Sequence, residues 1–180
     1  MTGPKRILVF QTAFLGDVIL TTPLLQLLKE RYPAAEIDVV TTPAAAPFLL
    51  NHPSVSTVIP YDKRGSQKGL RGIAAMGILL KKRQYDLAVV PHRSFRTAAI
   101  MALSRIPRRI TFTTSSGTLF YHDLVPYDKV QHEVERNIAL LAPLGIVPQQ
   151  KVLPELHPTD VDVRSVSTLL FEREILVQHT

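Results

Sequence analysis

The chain contains no cysteine and no tryptophan among its 180 residues. The first absence excludes disulfides and thiolate metal sites, and it fits a reducing compartment. The second, with aromatic residues at 7%, removes most of the stacking surface that single-stranded nucleic-acid binders use. Long hydrophobic runs are missing too. The longest, such as GIAAMGILL at 72–80, reach about half of the roughly 20 residues that a membrane-spanning helix needs. The start, MTGPKRILVF, lacks a long apolar core and a small-residue cleavage site, so a cytoplasmic protein is expected. Acidic residues are scarce in one region only. From Lys63 to Arg109 twelve Lys or Arg meet a single acid, Asp86, giving a local charge near +11 against +6 for the whole chain. Such an excess favours an anionic partner: nucleic acid, a phosphorylated ligand or an anionic membrane surface.

What is present is a regular alternation. RILVF (6–10) is short, continuous, apolar and β-branched, as a buried parallel strand should be. DVILTTPLLQLLKERYP (17–33) follows as a buried helix with Lys29 and Arg31 in its last turn; Pro23 predicts a kink or a late start. EIDVVTT, VSTVIPYD, YDLAVVPH and RRITFTT supply four further strands. Short or amphipathic helices are expected in PAAAPFLLNHP, QKGLRGIAAMGILLKKRQ, RTAAIMALSRI and HEVERNIALLAPLG, the last closed by Gly145. This order predicts an α/β fold, a Rossmann-like doubly wound parallel sheet with helices on both faces. Residues 1–147 form that domain. Residues 148–164 read as a linker, and 165–180, ending in the strand-like ILVQ, as the start of a truncated second domain.

Ligands of such sheets bind beyond the C-terminal ends of the strands. The loop after the first strand carries neither the three glycines of GxGxxG nor a GK[ST] motif, so no standard phosphate cradle is expected there. It does carry Thr12, Ala13, Gly16 and one acid, Asp17. That aspartate suits a helix cap, and it equally suits a general base that takes a proton from an attacking hydroxyl. The loop after the fourth strand, PHRSFRTA, brings Arg93, Ser94 and Arg96. The loop after the third, YDKRGSQKGLRG, brings Lys63, Arg64, Lys68 and Arg71. Guanidinium forks match phosphates and carboxylates, and Ser94 is placed to cap the next helix. His92 could act as a base, although a lone loop histidine is more often merely polar. No His, Asp and Ser set forms a triad, and neither YHD nor HPTD has the spacing of a metal site, so no metal is expected.

The stretch RILVFQTAFLGDVILTTPLLQLLKERYPAAEIDVVTTPAAAPFLLNHPSVSTVIPYD resembles the N-terminal half of the bacterial ADP-heptose:lipopolysaccharide heptosyltransferases, glycosyltransferase family 9. VVPHRSFRTAAI, RIPRRITF and HEVERNIALLAPLGI are similar to later family segments in order and spacing, and the likeness covers residues 5–147. Pro91, Ser94, Phe95 and Arg96 look more like heptosyltransferase II than I. The resemblance implies the acceptor-binding domain of a GT-B glycosyltransferase, inverting and metal-independent, with no cofactor and with ADP-heptose as donor substrate. It implies Asp17 as catalytic base, and a cationic rim for the Kdo carboxylates and phosphates of the lipopolysaccharide core. It also implies peripheral attachment to the inner membrane. The family's donor domain has no counterpart in these 180 residues, so the chain alone is expected to be inactive, with an interdomain face open to self-association. The competing expectations are an α/β module that binds nucleic acid or another polyanion through residues 63–109, and a flavodoxin-like nucleotide-binding regulator.

Overall fold

The computed structural model describes residues 3–172. Six parallel strands form one sheet: β1 (Arg6–Phe10), β2 (Glu36–Thr41), β3 (Thr57–Pro60), β4 (Leu87–Val90), β5 (Arg108–Phe112) and β6 (Asp123–Val125). Their order is β3-β2-β1-β4-β5-β6, the doubly wound arrangement whose direction of winding reverses between β1 and β4. Strand β6 is an addition to the five expected. The residues DLV are too short and too exposed to announce a strand, and they become one only by pairing with β5 from Ile110↔Asp123 to Phe112↔Val125.

Alternation along β1 sorts the core into two layers. Ile7 and Val9 face one side, where Val18, Leu24, Leu28, Ile37 and Ile138 are buried. Leu8 and Phe10 face the other, with Met76, Leu80, Ala98, Met101 and Val40. The strands are buried on both faces, which explains why they read as continuous apolar runs. Helices α1 (Leu15–Ile19), α2 (Thr22–Arg31) and α5 (Glu133–Ala139) serve the first layer; α3 (Gly69–Lys82) and α4 (Phe95–Ser104) serve the second.

The helix expected over 17–33 is two helices. The chain breaks at Leu20 and Thr21, and Pro23 occupies the first turn of α2, where its missing N–H costs nothing. Two threonines stabilise the break: Thr21 Oγ1 donates to the Asp17 carbonyl (2.7 Å) and Thr22 Oγ1 to that of Ile19 (2.8 Å). Asn137, fully buried on α5, donates from Nδ2 to the Leu20 carbonyl (3.2 Å).

Gly145 adopts φ 70° and closes a 3₁₀ turn after α5, as its position suggests. The segment expected to be a linker, 148–164, is partly docked: the Glu155 N–H donates to Thr22 Oγ1 (3.1 Å), and Gln26 Nε2 to the Leu153 carbonyl. Helix α6 (Asp160–Glu172) starts inside that segment, where Thr159 Oγ1 accepts from the Asp162 N–H (3.1 Å) and donates to the Asp162 carboxylate (2.7 Å). The strand expected at ILVQ lies outside the described residues.

Candidate functional site

A crevice opens where the winding reverses, between the loops that leave β1 and β4. Two clefts share it. One, of about 500 Å³, lies among the loops after β1, β2 and β3 and is lined by Thr12, Phe14, Thr42, Tyr61, Lys63 and Arg64. The other, of about 600 Å³, lies between the β1 and β4 loops and the start of α5, where Asp17, Arg93, Ser94, Tyr127 and Glu133 meet. Ala13, Phe14 and His92 border both.

Asp17 is the third residue of α1. Its carboxylate reaches back to accept the Phe14 N–H (3.0 Å), satisfying one of the donors that a helix start leaves open. The cap and the crevice therefore coexist: one carboxylate oxygen is anchored by the backbone while the side chain borders the second cleft. Capping fixes the direction of the acid.

Lys63 ties three loops together. Its ammonium donates to the Thr12 carbonyl and lies 3.4 Å from Thr12 Oγ1 and 3.5 Å from His92 Nε2. An ammonium can only donate, so Nε2 of His92 must accept and Nδ1 must carry the hydrogen. Nδ1 then donates to Thr97 Oγ1 at 2.7 Å. Ser94 Oγ in turn accepts the Thr97 N–H (3.2 Å) and caps α4, as expected. Burial, then the charges of Lys63 and Arg93, push the His92 pKa down to about 4, so the ring is neutral at pH 7. Burial also lowers the Lys63 pKa, with Arg64 and Arg96 adding repulsion.

Across the second cleft, Arg93 stacks over the Tyr127 ring (4.0 Å to the centroid) and donates to Thr114 Oγ1 (3.2 Å). Arg136, itself bonded to Glu133 through Nε (3.0 Å), lies 4.9 Å from the same ring. Two guanidiniums thus lie over the Tyr127 ring, and Arg93 is oriented before any ligand arrives.

The structure brings together Thr12, Ala13, Lys63 and Arg64 at one cleft and Asp17, Arg93 and Ser94 at the other. Arg96 stands behind, donating to Tyr61 Oη (3.4 Å). Gly16 is exposed, and an added Cβ there would meet nothing within 4 Å. Lys68 and Arg71, at the start of α3, line neither cleft. Of the twelve cations between 63 and 109, six belong to this end of the sheet. Lys81, Lys82, Arg83, Arg105, Arg108 and Arg109 lie at the other end, so the run is not one stripe along which a nucleic acid could track. Sequence reasoning passed over His92, Phe14 and Tyr127. His92 gains its place only through Lys63, 29 residues away; Phe14, 76% exposed beside Asp17, had a signal in being a large apolar residue in a binding loop.

An all-parallel doubly wound sheet with an acid and forked cations at its reversal point defines a class of domain that binds its ligands beyond the C-terminal strand ends, here on a surface whose guanidiniums suit anions. Residues 73–176 match the glycosyltransferase family 9 (heptosyltransferase) model, and the chain belongs to that family. It is 30% identical over 152 residues to lipopolysaccharide heptosyltransferase 2 of Salmonella typhimurium, an alignment covering 83% of this chain and 44% of that protein. The chain spans less than half the length of that relative. Among solved structures, the Escherichia coli ADP-heptose lipopolysaccharide heptosyltransferase II is similar at TM-score 0.73 and 26% identity, covering 95% of this chain and 51% of the other. A family 9 glycosyl transferase from Veillonella parvula shares the fold at TM-score 0.84 and 22% identity, with 96% and 51% covered.

Proposed function

We propose that these residues form the acceptor-binding part of a GT-B heptosyltransferase that moves heptose from ADP-heptose to the inner core of lipopolysaccharide. The observation that carries this reading is the position of Asp17: a carboxylate anchored by the Phe14 N–H, at the edge of a crevice that also presents Lys63, Arg64 and Arg93. In the proposed step an acceptor hydroxyl attacks the anomeric carbon of the donor sugar and inverts it. The hydroxyl proton passes to Asp17 and the C–O bond to ADP breaks. Lys63 and Arg64 would hold acceptor carboxylates or phosphates in the first cleft, and Arg93 those in the second. No step needs a metal. The matched segment covers 44% of the heptosyltransferase 2 relative, and alone it would bind acceptor while turning over little or no donor.

The test is Asp17→Asn in a protein that carries this segment together with a donor-binding domain. Turnover should fall by about 10²-fold or more, with acceptor affinity retained. Near-normal turnover would leave Asp17 as a helix cap alone.

A further inference from the structure

Neither the helix start nor the core accounts for Phe14. It occupies the N-cap of α1, where small polar residues that accept a backbone N–H are favoured, and its side chain caps nothing. Its ring is 76% exposed and belongs to neither core layer. It borders both clefts of the crevice instead. Phe95, the exposed phenylalanine that follows β4, borders neither.

The first cleft has two kinds of wall. Ala13, Phe14 and Leu15 after β1, with Pro43 and Ala44 after β2, make one apolar; Lys63 and Arg64 after β3 make the other cationic. Strands β1 and β3 flank β2, two strand spacings or about 10 Å apart. The two cations are not equivalent. The Lys63 ammonium is turned to the Thr12 carbonyl, whereas Arg64 forms no ion pair among the described residues. Asp62, the acid of the same cleft, is turned to the N–H groups of Gly65 (2.9 Å) and Ser66 (2.8 Å) in its own loop.

We infer that Phe14 is the platform on which a sugar ring of the acceptor stacks, and that it selects a ring-borne acid over a simple anion. The inference rests on the acceptor-binding reading above. A pyranose presents C–H groups on its face and hydroxyls around its edge. Those C–H groups are slightly positive, and the face of a phenyl ring is negative. A sugar acid adds a carboxylate at one edge, which a guanidinium fork matches. The first cleft offers the two surfaces together. An inorganic anion would leave the apolar wall wet, and a neutral sugar would leave Arg64 without a partner. The backbone of the same residue holds the catalytic candidate: the Phe14 N–H donates to the Asp17 carboxylate (3.0 Å). Ring and acid therefore keep a fixed relation, and a sugar laid on one is indexed to the other.

The experiment is calorimetric titration of the 180-residue chain with a lipid-free core saccharide bearing Kdo. Phe14→Ala keeps the backbone N–H that anchors Asp17 and should bind about tenfold more weakly, as expected when a phenyl ring no longer covers apolar surface. Phe14→Tyr and Phe95→Ala should bind like wild type, and all variants should share its far-UV circular dichroism. Phe14→Trp gives the chain its one tryptophan, whose fluorescence the saccharide should shift and AMP should not. If Phe14→Ala or Phe14→Leu binds as tightly as wild type while Arg64→Ser binds more weakly, the platform is overturned and the acceptor site stands. A shift caused by AMP assigns the ring to a nucleotide base and also overturns the inference. No binding of the saccharide to wild type overturns the inference and the acceptor reading together.

Discussion

His92 Nε2 and Lys63 Nζ lie 3.5 Å apart and, among the described residues, no carboxylate is bonded to either, so charge on both at once is disfavoured. The arrangement favours Lys63, because His92 is the weaker base and the more fully enclosed. Its folded pKa is about 4, against 6.5 for a free ring. Between those values the unfolded chain binds a proton at position 92 that the folded chain rejects. Stability therefore rises with pH across that window and is lost on acidification. His52, buried against His157, is lowered in the same sense. A thermal melt of wild type should show a midpoint that falls from pH 6.5 to pH 4. In His92→Gln the fall should be shallower, because one of the two contributions has gone. Equal slopes would mean that His92 titrates normally in the folded chain.

Arg64, on the β3–α3 loop, and Arg71, in the first turn of α3, should behave differently. Arg64 borders the first cleft and Arg71 does not. Titration of the chain with a soluble, lipid-free core saccharide bearing Kdo should show Arg64→Ser binding about tenfold more weakly, with a flatter dependence on salt. Arg71→Ser should bind that saccharide like wild type. An equal loss in both would return Arg71 to the acceptor site.

At the opposite end of the sheet Asp38 is 1% exposed and accepts from Arg83 Nη1 (2.8 Å) and Tyr85 Oη (2.6 Å). Removing the acid leaves a guanidinium and a phenol without their partner. Asp38→Ala should therefore cost about 3 kcal/mol in urea-induced unfolding. A loss under about 1 kcal/mol would show that Arg83 simply turns to solvent.

The sheet was legible because parallel strands buried on both faces leave unbroken apolar runs, as RILVF and LAVV do. DLV was not, because its place depends on β5 rather than on its own side chains. The start of α6 was missed for a similar reason: three prolines upstream suggested irregular chain, whereas Thr159 and Asp162 initiate a helix. At the candidate site, Asp17, Arg93 and Lys63 could be nominated from loop position alone. The neutral state of His92 could not, because it arises from burial and from a lysine on another strand's loop. The basic run between 63 and 109 was visible as composition. Its division between the two ends of the sheet needed the direction of α3 and α4.

The break between α1 and α2 has a mechanical meaning. The short helix that bears Asp17 is a lever separate from the long one, and Asn137 is its fulcrum. A displacement of α5, by a bound partner or by substitution, would be passed through this side-chain amide to the junction that positions the Asp17 helix. Position 137 is thus a tuning point from which the reach of the acid can be adjusted without touching the crevice.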